Sequence, residues 1–266
     1  MSPESGAPTL SWLGMGLAFL LALVPLILFR VLRLGLSRQL LVALARMVLQ
    51  LGSLGLVLEV LFRQDHWSLT LLWLLVMQAA AAHTVLSRLP VRVPGLAPLV
   101  GGALALASSA VLAWCLLMVV RPEPLLGARL LIPLAGMILG NSMNGITLAL
   151  ERHLAQLTEP AGRREWETLL GLGAEPCVAR SRLLGRDLRV ALLPTLNTTA
   201  TIGLVSIPGM MTGQLLGGSP PATAILYQIL IMLAILASVS LSAWGAARLL
   251  HWRLVDADGL HRRPPV

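Results

Sequence analysis

Residues 96–120 read LAPLVGGALALASSAVLAWCLLMVV, without a charged side chain anywhere in the run. At about 1.5 Å per residue, a helix of that length crosses the roughly 30 Å of a bilayer's hydrocarbon. Similar runs recur at roughly 11–29, 40–62, 67–87, 130–150, 190–216 and 222–247. The whole chain of 266 residues is 56% hydrophobic and 12% charged, with a mean hydropathy of +0.82. A soluble domain of this size has too much surface facing water to hide so much apolar side chain. Long uninterrupted runs, in place of alternating ten-residue segments, specify a bundle and not a barrel. The expected fold is all-α: a polytopic membrane helix bundle of about seven transmembrane helices. The sixth run carries Pro194, Pro208 and several Gly, and is the one expected to break.

Arginine sets the expected orientation. All 20 basic residues are Arg; there is no Lys. Sixteen of them follow the first, third and fifth runs or lie in the C-terminal segment, including Arg88, Arg92, Arg262 and Arg263. The opposite side holds only Arg63, Arg121 and Arg129. Basic residues mark the cytoplasmic side, so the N-terminus is expected outside and the C-terminus inside. Residues 1–10 contain Glu4 and no basic residue, which argues for a retained first span over a cleaved signal peptide. The formal charge of +8 is then a membrane-topology signal, and no nucleic-acid partner is expected.

Composition also excludes chemistry. Without Lys the chain has no P-loop and cannot hydrolyse ATP in the usual way. Schiff-base chemistry falls for the same reason. Two Cys make no structural zinc site alone, the five His show no ligand spacing, and Cys115 and Cys177 are not expected to pair. There is no G-x-S-x-G and no evident Ser–His arrangement, so no catalytic residue is expected.

The one sizeable polar segment covers about 151–189, on the expected cytoplasmic side. Residues 162–189 read as two short helices. Trp166, Leu169, Leu170 and Gly173 fall on one narrow apolar face, with Arg163, Arg164, Glu165 and Glu167 around it. Gly173 ends the first helix and Pro176 opens the second. Such a hairpin can dock into a groove on a soluble partner or rest on lipid. Its spacing is informative: Glu167, four residues, Leu172-Gly173-Ala174, then Glu175-Pro176. This resembles the EAA coupling loop of ABC-transporter permeases, which inserts into a cleft on the ATPase subunit. The match has departures: Thr168 and Leu169 stand where small residues are usual, and Leu193-Pro194 lies eight residues late.

The fifth and sixth runs carry the buried polarity. Gly136 and Gly140 form GxxxG, which permits close helix approach. Asn141 and Asn144 share a face beside Ser142, and carboxamides at that depth serve either as helix glue or as a pathway lining. In the sixth run, Pro208-Gly209 should break the helix, and broken helices are where transporters often bind cargo. Asn197 and Gln214 are candidate cavity groups. Met210 and Met211 offer soft thioethers, although methionine in such a helix is more often filler.

The stretches LIPLAGMILGNSMNGITLALER, within 130–152, and LLPTLNTTATIGLVSIPGMMTGQLLGG, at 192–218, resemble the signature regions of the FetB-type family of ABC permeases. The resemblance runs from Arg46 to about Ser242. It implies a single transmembrane permease domain over 1–266 with a cytoplasmic coupling segment at about 151–189. The implied coupling residues are Glu167, Leu172, Gly173, Ala174 and Pro176. The implied partners are a separate ATPase subunit that holds ATP and magnesium, a second copy of the chain, and the cytoplasmic inner membrane. The family is linked to iron export and metal homeostasis, and plant relatives to aluminium resistance, so the implied cargo is iron or another metal or small solute. No cofactor of the chain's own is implied.

The second run adds Arg46 and Glu59, each costly in mid-membrane and too far apart to pair. Arg46, Gln50 and Ser53 suggest a polar internal stripe. The candidate translocation path is thus Arg46, Gln50, Asn141, Ser142, Asn144, Asn197, Pro208, Gly209, Met210, Met211 and Gln214. For a metal, Glu59, Met210 and Met211 are the candidates, with His83 a further metal-capable group. An ion-coupled carrier or channel, working without an ATPase through Glu59, is the alternative reading.

Overall fold

The computed structural model describes residues 11–64, 66–90 and 93–256. The expectations for residues 1–10, for Arg92 and for the tail beyond Asp256, with Arg262 and Arg263, lie outside the described residues. The described residues are mostly helical and form no strand; Ile202 and Ser206 make an isolated β-bridge.

The first apolar run forms α1 (Trp12–Leu20) and α2 (Leu23–Val31), not one rod. Pro25 explains the division. Its ring opposes the carbonyl four residues back, at Leu21, where the chain turns. Then follow α3 (Ser37–Gln64), α4 (Trp67–Arg88) and α5 (Leu96–Trp114), which continues as a π-helical turn over Cys115–Val120. The core is completed by α6 (Ala128–Thr158) and α10 (Pro221–Leu254). The pairs α1–α2 and α5 with its π turn each count as one span. Among the described residues, six spans are long and apolar enough to cross a membrane.

The sixth expected run departs most from its reading. It is not a seventh apolar rod. The helix α8 (Pro176–Thr201) begins in the Arg-rich segment and runs unbroken through Pro194. The break comes later, in an irregular stretch from Ile202 to Pro208, before the short α9 (Gly209–Leu216). Ile207 precedes a proline and is pushed towards extended backbone. Gly203 adopts φ +82°, and its N–H donates to the Ser206 carbonyl at 2.9 Å, which closes the turn.

The 151–189 segment is likewise not a free-standing unit. Its first residues are the last turns of α6, and its second half is the start of α8. Only α7 (Pro160–Gly171) is a separate short helix. So the expected second short helix is the first part of a 26-residue one.

The core sits where α4, α5, α6, α8 and α10 pack together. The closest glycine contact is not at the GxxxG pair. A side chain at Gly140 would meet nothing within 4 Å, and one at Gly136 would meet only the Met77 Cε, at 3.3 Å. At Gly145, a Cβ would come within 2.5 Å of Val239 Cγ1 on α10. That glycine lets α6 lie close to α10, beside the small residues Ala149, Ala191, Ala243 and Ala247. Cys115 and Cys177 are both free.

Candidate functional site

Two features stand out on α6, α8 and α10: a cavity along the bundle and a buried polar cluster at one end of it.

The cavity has a volume of about 280 Å³. It is bounded by α6, α8, the Ile202–Pro208 break, the start of α9, and α10. Five of the expected path residues line it: Asn141, Asn144, Pro208, Gly209 and Met210. The helix break places them together, because it turns the start of α9 back towards α6. Thr195, Thr198 and Gln228 also line the cavity and were missed in the sequence. Gln228 is 8% exposed, and its Oε1 has no hydrogen-bond partner. The Asn141 amide donates to the Met137 carbonyl at 2.8 Å, and the Arg88 guanidinium donates to Asn144 Oδ1 at 3.0 Å.

The other candidates lie elsewhere. Ser142 is fully buried on the α10 side of α6, and its hydroxyl meets that of Ser238 at 2.7 Å. It joins two helices and does not reach the cavity. Asn197 is exposed on another face of α8, while Met211 and Gln214 lie on α9 outside the lining. Arg46 and Gln50 are exposed on α3, so the stripe they form with Ser53 is not internal to this chain. The reason is that α3 meets α6 only in its last turns, around Leu61, and buries no other side chain. Glu59 is exposed on α3 as well, and His83 on α4; neither meets Met210 in the cavity. Among the described residues, no three His, Cys, Asp or Glu are placed to hold a metal ion.

The polar cluster was not foreseen. Asp187 on α8 is fully buried and opposes His153 and Gln156 on α6. His153 Nδ1 lies 2.6 Å from Asp187 Oδ2, and Gln156 Nε2 donates to Asp187 Oδ1 at 2.5 Å. The other nitrogen of His153 lies 3.3 Å from Nδ1 of His251, on α10. The His251 ring in turn packs edge-on to Trp166 of α7, with ring centroids 5.3 Å apart. Trp166 is 1% exposed. Four helices therefore meet at one set of hydrogen bonds and ring contacts. One signal for it is readable along α8. Asp187 lies on a helix face otherwise made of Leu183, Leu184 and Ala191, and a carboxylate there requires buried partners.

From this base the α7–α8 turn projects. Leu172 caps α7 and is 81% exposed. Gly173 adopts φ +85°; its N–H donates to the Leu170 carbonyl at 2.9 Å, and that of Ala174 to Leu169 at 3.0 Å. Glu167 is exposed and takes a hydrogen bond from Arg163 at 2.8 Å. Leu169 and Leu170 pack on the core beside Trp166, as their shared face predicts. Arg186 braces α7 from α8 by donating to Glu165 at 2.6 Å. That hydrogen bond, with the guanidinium charge, holds the Glu165 carboxyl below its ordinary range.

The profile described as "Uncharacterised protein family (UPF0014)" matches residues 12–254. The chain belongs to the UPF0014 family. A UPF0014 membrane protein of Synechocystis, slr1647, is 39% identical over 79% of this chain and 80% of its own length. The UPF0014 membrane protein YjkA of Bacillus subtilis is 34% identical over 88% and 91%. An Escherichia coli K12 relative described as "Probable iron export permease protein FetB" is 32% identical over 86% of each chain. No solved structure matches the chain. The UPF0014 assignment agrees with the resemblance drawn from 130–152 and 192–218, and the chain is a multi-pass membrane protein whose relatives include a named permease.

Proposed function

We propose that this chain is the membrane-spanning subunit of an ABC transporter in the cytoplasmic membrane. It works as a homodimer with a separate ATPase and exports iron or another metal or small solute. The observation that carries the reading is the exposed Leu172–Glu175 turn, held on a helix whose inner face is anchored by Trp166. Gly173 permits a sharp turn where the projecting loop would enter a cleft, and exposed Glu167 can meet a basic residue there. ATP and magnesium belong to the partner, since this chain has no Lys for a P-loop. The Arg-rich end, with α7, then faces the cytoplasm.

A mechanism follows from the connections. Closure of the ATPase pair displaces the α7–α8 turn. Trp166 transmits the movement to His251 and α10, and Asp187 transmits it to His153 and α6. The far end of α8 carries Thr195, Thr198 and the helix break, so its displacement reshapes the cavity. The lining supplies neutral amide and hydroxyl groups and thioethers, with no carboxylate or imidazole. The alternative, an ion-coupled carrier working through Glu59, gains no support from this lining, which Glu59 does not join.

The test is co-purification in mild detergent, comparing wild type with a Glu167→Arg/Gly173→Trp variant. A P-loop ATPase should accompany the wild type and be lost from the variant, while both insert into the membrane. If no ATPase accompanies a wild-type dimer, or if the variant keeps it at wild-type yield, the coupling assignment is wrong.

A further inference from the structure

The helix α3 stands apart from the bundle. Its 28 residues are long and apolar enough to cross a membrane, yet its apolar window has no buried residue. Leu61 is its one buried side chain, packed near Ala128 and Ile132 of α6. One face carries Arg46, Gln50 and Ser53, at i, i+4 and i+7, and it is the same face that holds Leu61. Towards Ser37 this face parts from the rest of the chain, and all three polar residues are exposed. The Ser53 hydroxyl donates to the Gln50 carbonyl at 2.9 Å, within the helix. Among the described residues, neither Arg46 nor the Gln50 carboxamide has a hydrogen-bond or ion-pair partner.

Lipid is a poor neighbour for such a face. Gln50 lies about 20 Å from the start of α3, counted at about 1.5 Å per residue, which is mid-membrane. A long Arg side chain can reach towards the nearer headgroups, but a Gln at that depth cannot. A carboxamide in hydrocarbon stays favourable only when another polar group meets it.

We infer that this stripe is the surface on which a second copy of the chain packs. The proposal rests on the homodimer in the reading above and names its interface. The self-complementary chemistry of Gln50 identifies the occupant. A carboxamide has both donors and an acceptor, so it pairs with its own copy across a two-fold axis. Ser53, one turn further on, offers its hydroxyl oxygen as an acceptor in the same seam, and Arg46, one turn before, supplies donors. A single buried amide is a known way to fix register between like helices. The dimer then buries two groups that a lone chain leaves in lipid. It also places the path candidates Arg46 and Gln50 on the axis between the copies.

The test is oxidative cysteine cross-linking in native membranes, in a Cys115→Ser/Cys177→Ser background, with ATPase co-purification measured in parallel. Gln50→Cys and Ser53→Cys should form an oxidised band at twice the chain's mass. Val48→Cys, on the opposite face of α3, should give at least fivefold less. Gln50→Leu should lower the Ser53→Cys dimer yield at least threefold, whereas a merely lipid-facing position would leave it unchanged. Equal yields at positions 48 and 50, no effect of Gln50→Leu, or a product with a different protein overturns the proposal. If the ATPase co-purifies but the stripe does not cross-link, the interface is wrong and the transporter reading stands. If the stripe cross-links without any ATPase, the interface stands and that reading falls.

Discussion

Replacing Asp187 is the sharpest test of the buried cluster. Its two carboxylate oxygens receive His153 Nδ1 at 2.6 Å and Gln156 Nε2 at 2.5 Å, in a site with no exposure of either Asp187 or His153. Asp187→Ala leaves both groups buried without an acceptor. An orphaned buried donor costs about 1–3 kcal/mol, and loss of one member of a buried pair about 3–5 kcal/mol. For a chain of this size, each kcal/mol moves Tm by about 2–4 °C, so a fall of about 6–20 °C is expected. Asp187→Asn keeps one oxygen for Gln156, and its amide can donate to His153 in the other ring tautomer, so its fall should be less than half as large. The assay is the loss of the monodisperse detergent-solubilised peak on heating. A fall of under about 2 °C for Asp187→Ala, or equal falls for the two variants, would show that the carboxylate is not what joins these helices.

Other consequences follow from single contacts. Gly145→Val places side-chain atoms against Val239 Cγ1, already 2.5 Å from an ideal Cβ, and should cost about 1–3 kcal/mol of stability. Gly140→Val, in open space, should be close to neutral in the same melting assay. The hydrogen bond from Arg186 holds the Glu165 carboxyl below its ordinary value. A depressed carboxyl supplies stability above its unfolded value and loses it as pH falls through the folded one. Amide exchange of α7, corrected for its intrinsic pH dependence, should therefore stay constant from neutrality and quicken only below that value, and Glu165→Gln should remove the step. Asn141→Leu should change transport in reconstituted vesicles without changing dimer yield; unchanged transport would return Asn141 to a packing role.

The membrane runs were legible because length and hydropathy alone decide whether a helix can cross. The boundaries of 67–87 and 96–120 needed almost no revision, against α4 and the α5 helix with its π turn. Proline was harder to read, since its effect depends on what packs around it. Pro25 and Pro208 accompany breaks, whereas Pro194 lies inside α8, which is held between α6 and α10. GxxxG named a close approach but not its place, because a glycine's use depends on the neighbouring helix, and that was Gly145 against Val239. The cluster of Asp187, His153 and His251 joins residues 34 and 98 positions apart, beyond any local pattern. The stripe at Arg46, Gln50 and Ser53 was visible as a face, but a face does not say whether its neighbour comes from the same chain.

The cluster and the cavity are most informative when taken on the same two helices. Asn144 precedes His153 by nine residues on α6, and Thr195 follows Asp187 by eight on α8. At about 1.5 Å per residue, both steps are about 12–14 Å. Two antiparallel rods thus share one fixed crossing at the buried carboxylate and one open crossing at the cavity. A helix pinned by buried hydrogen bonds turns about the pin more readily than it slides past it, because sliding would leave buried polar groups unpaired. A small rotation of α8 at Asp187 becomes a displacement at Thr195 and Thr198, which line the cavity just before the helix breaks. On the proposed ATP-driven reading, that geometry places the pivot beside α7, where the ATPase would push. It places the movement at the amide-lined cavity, where a solute can respond.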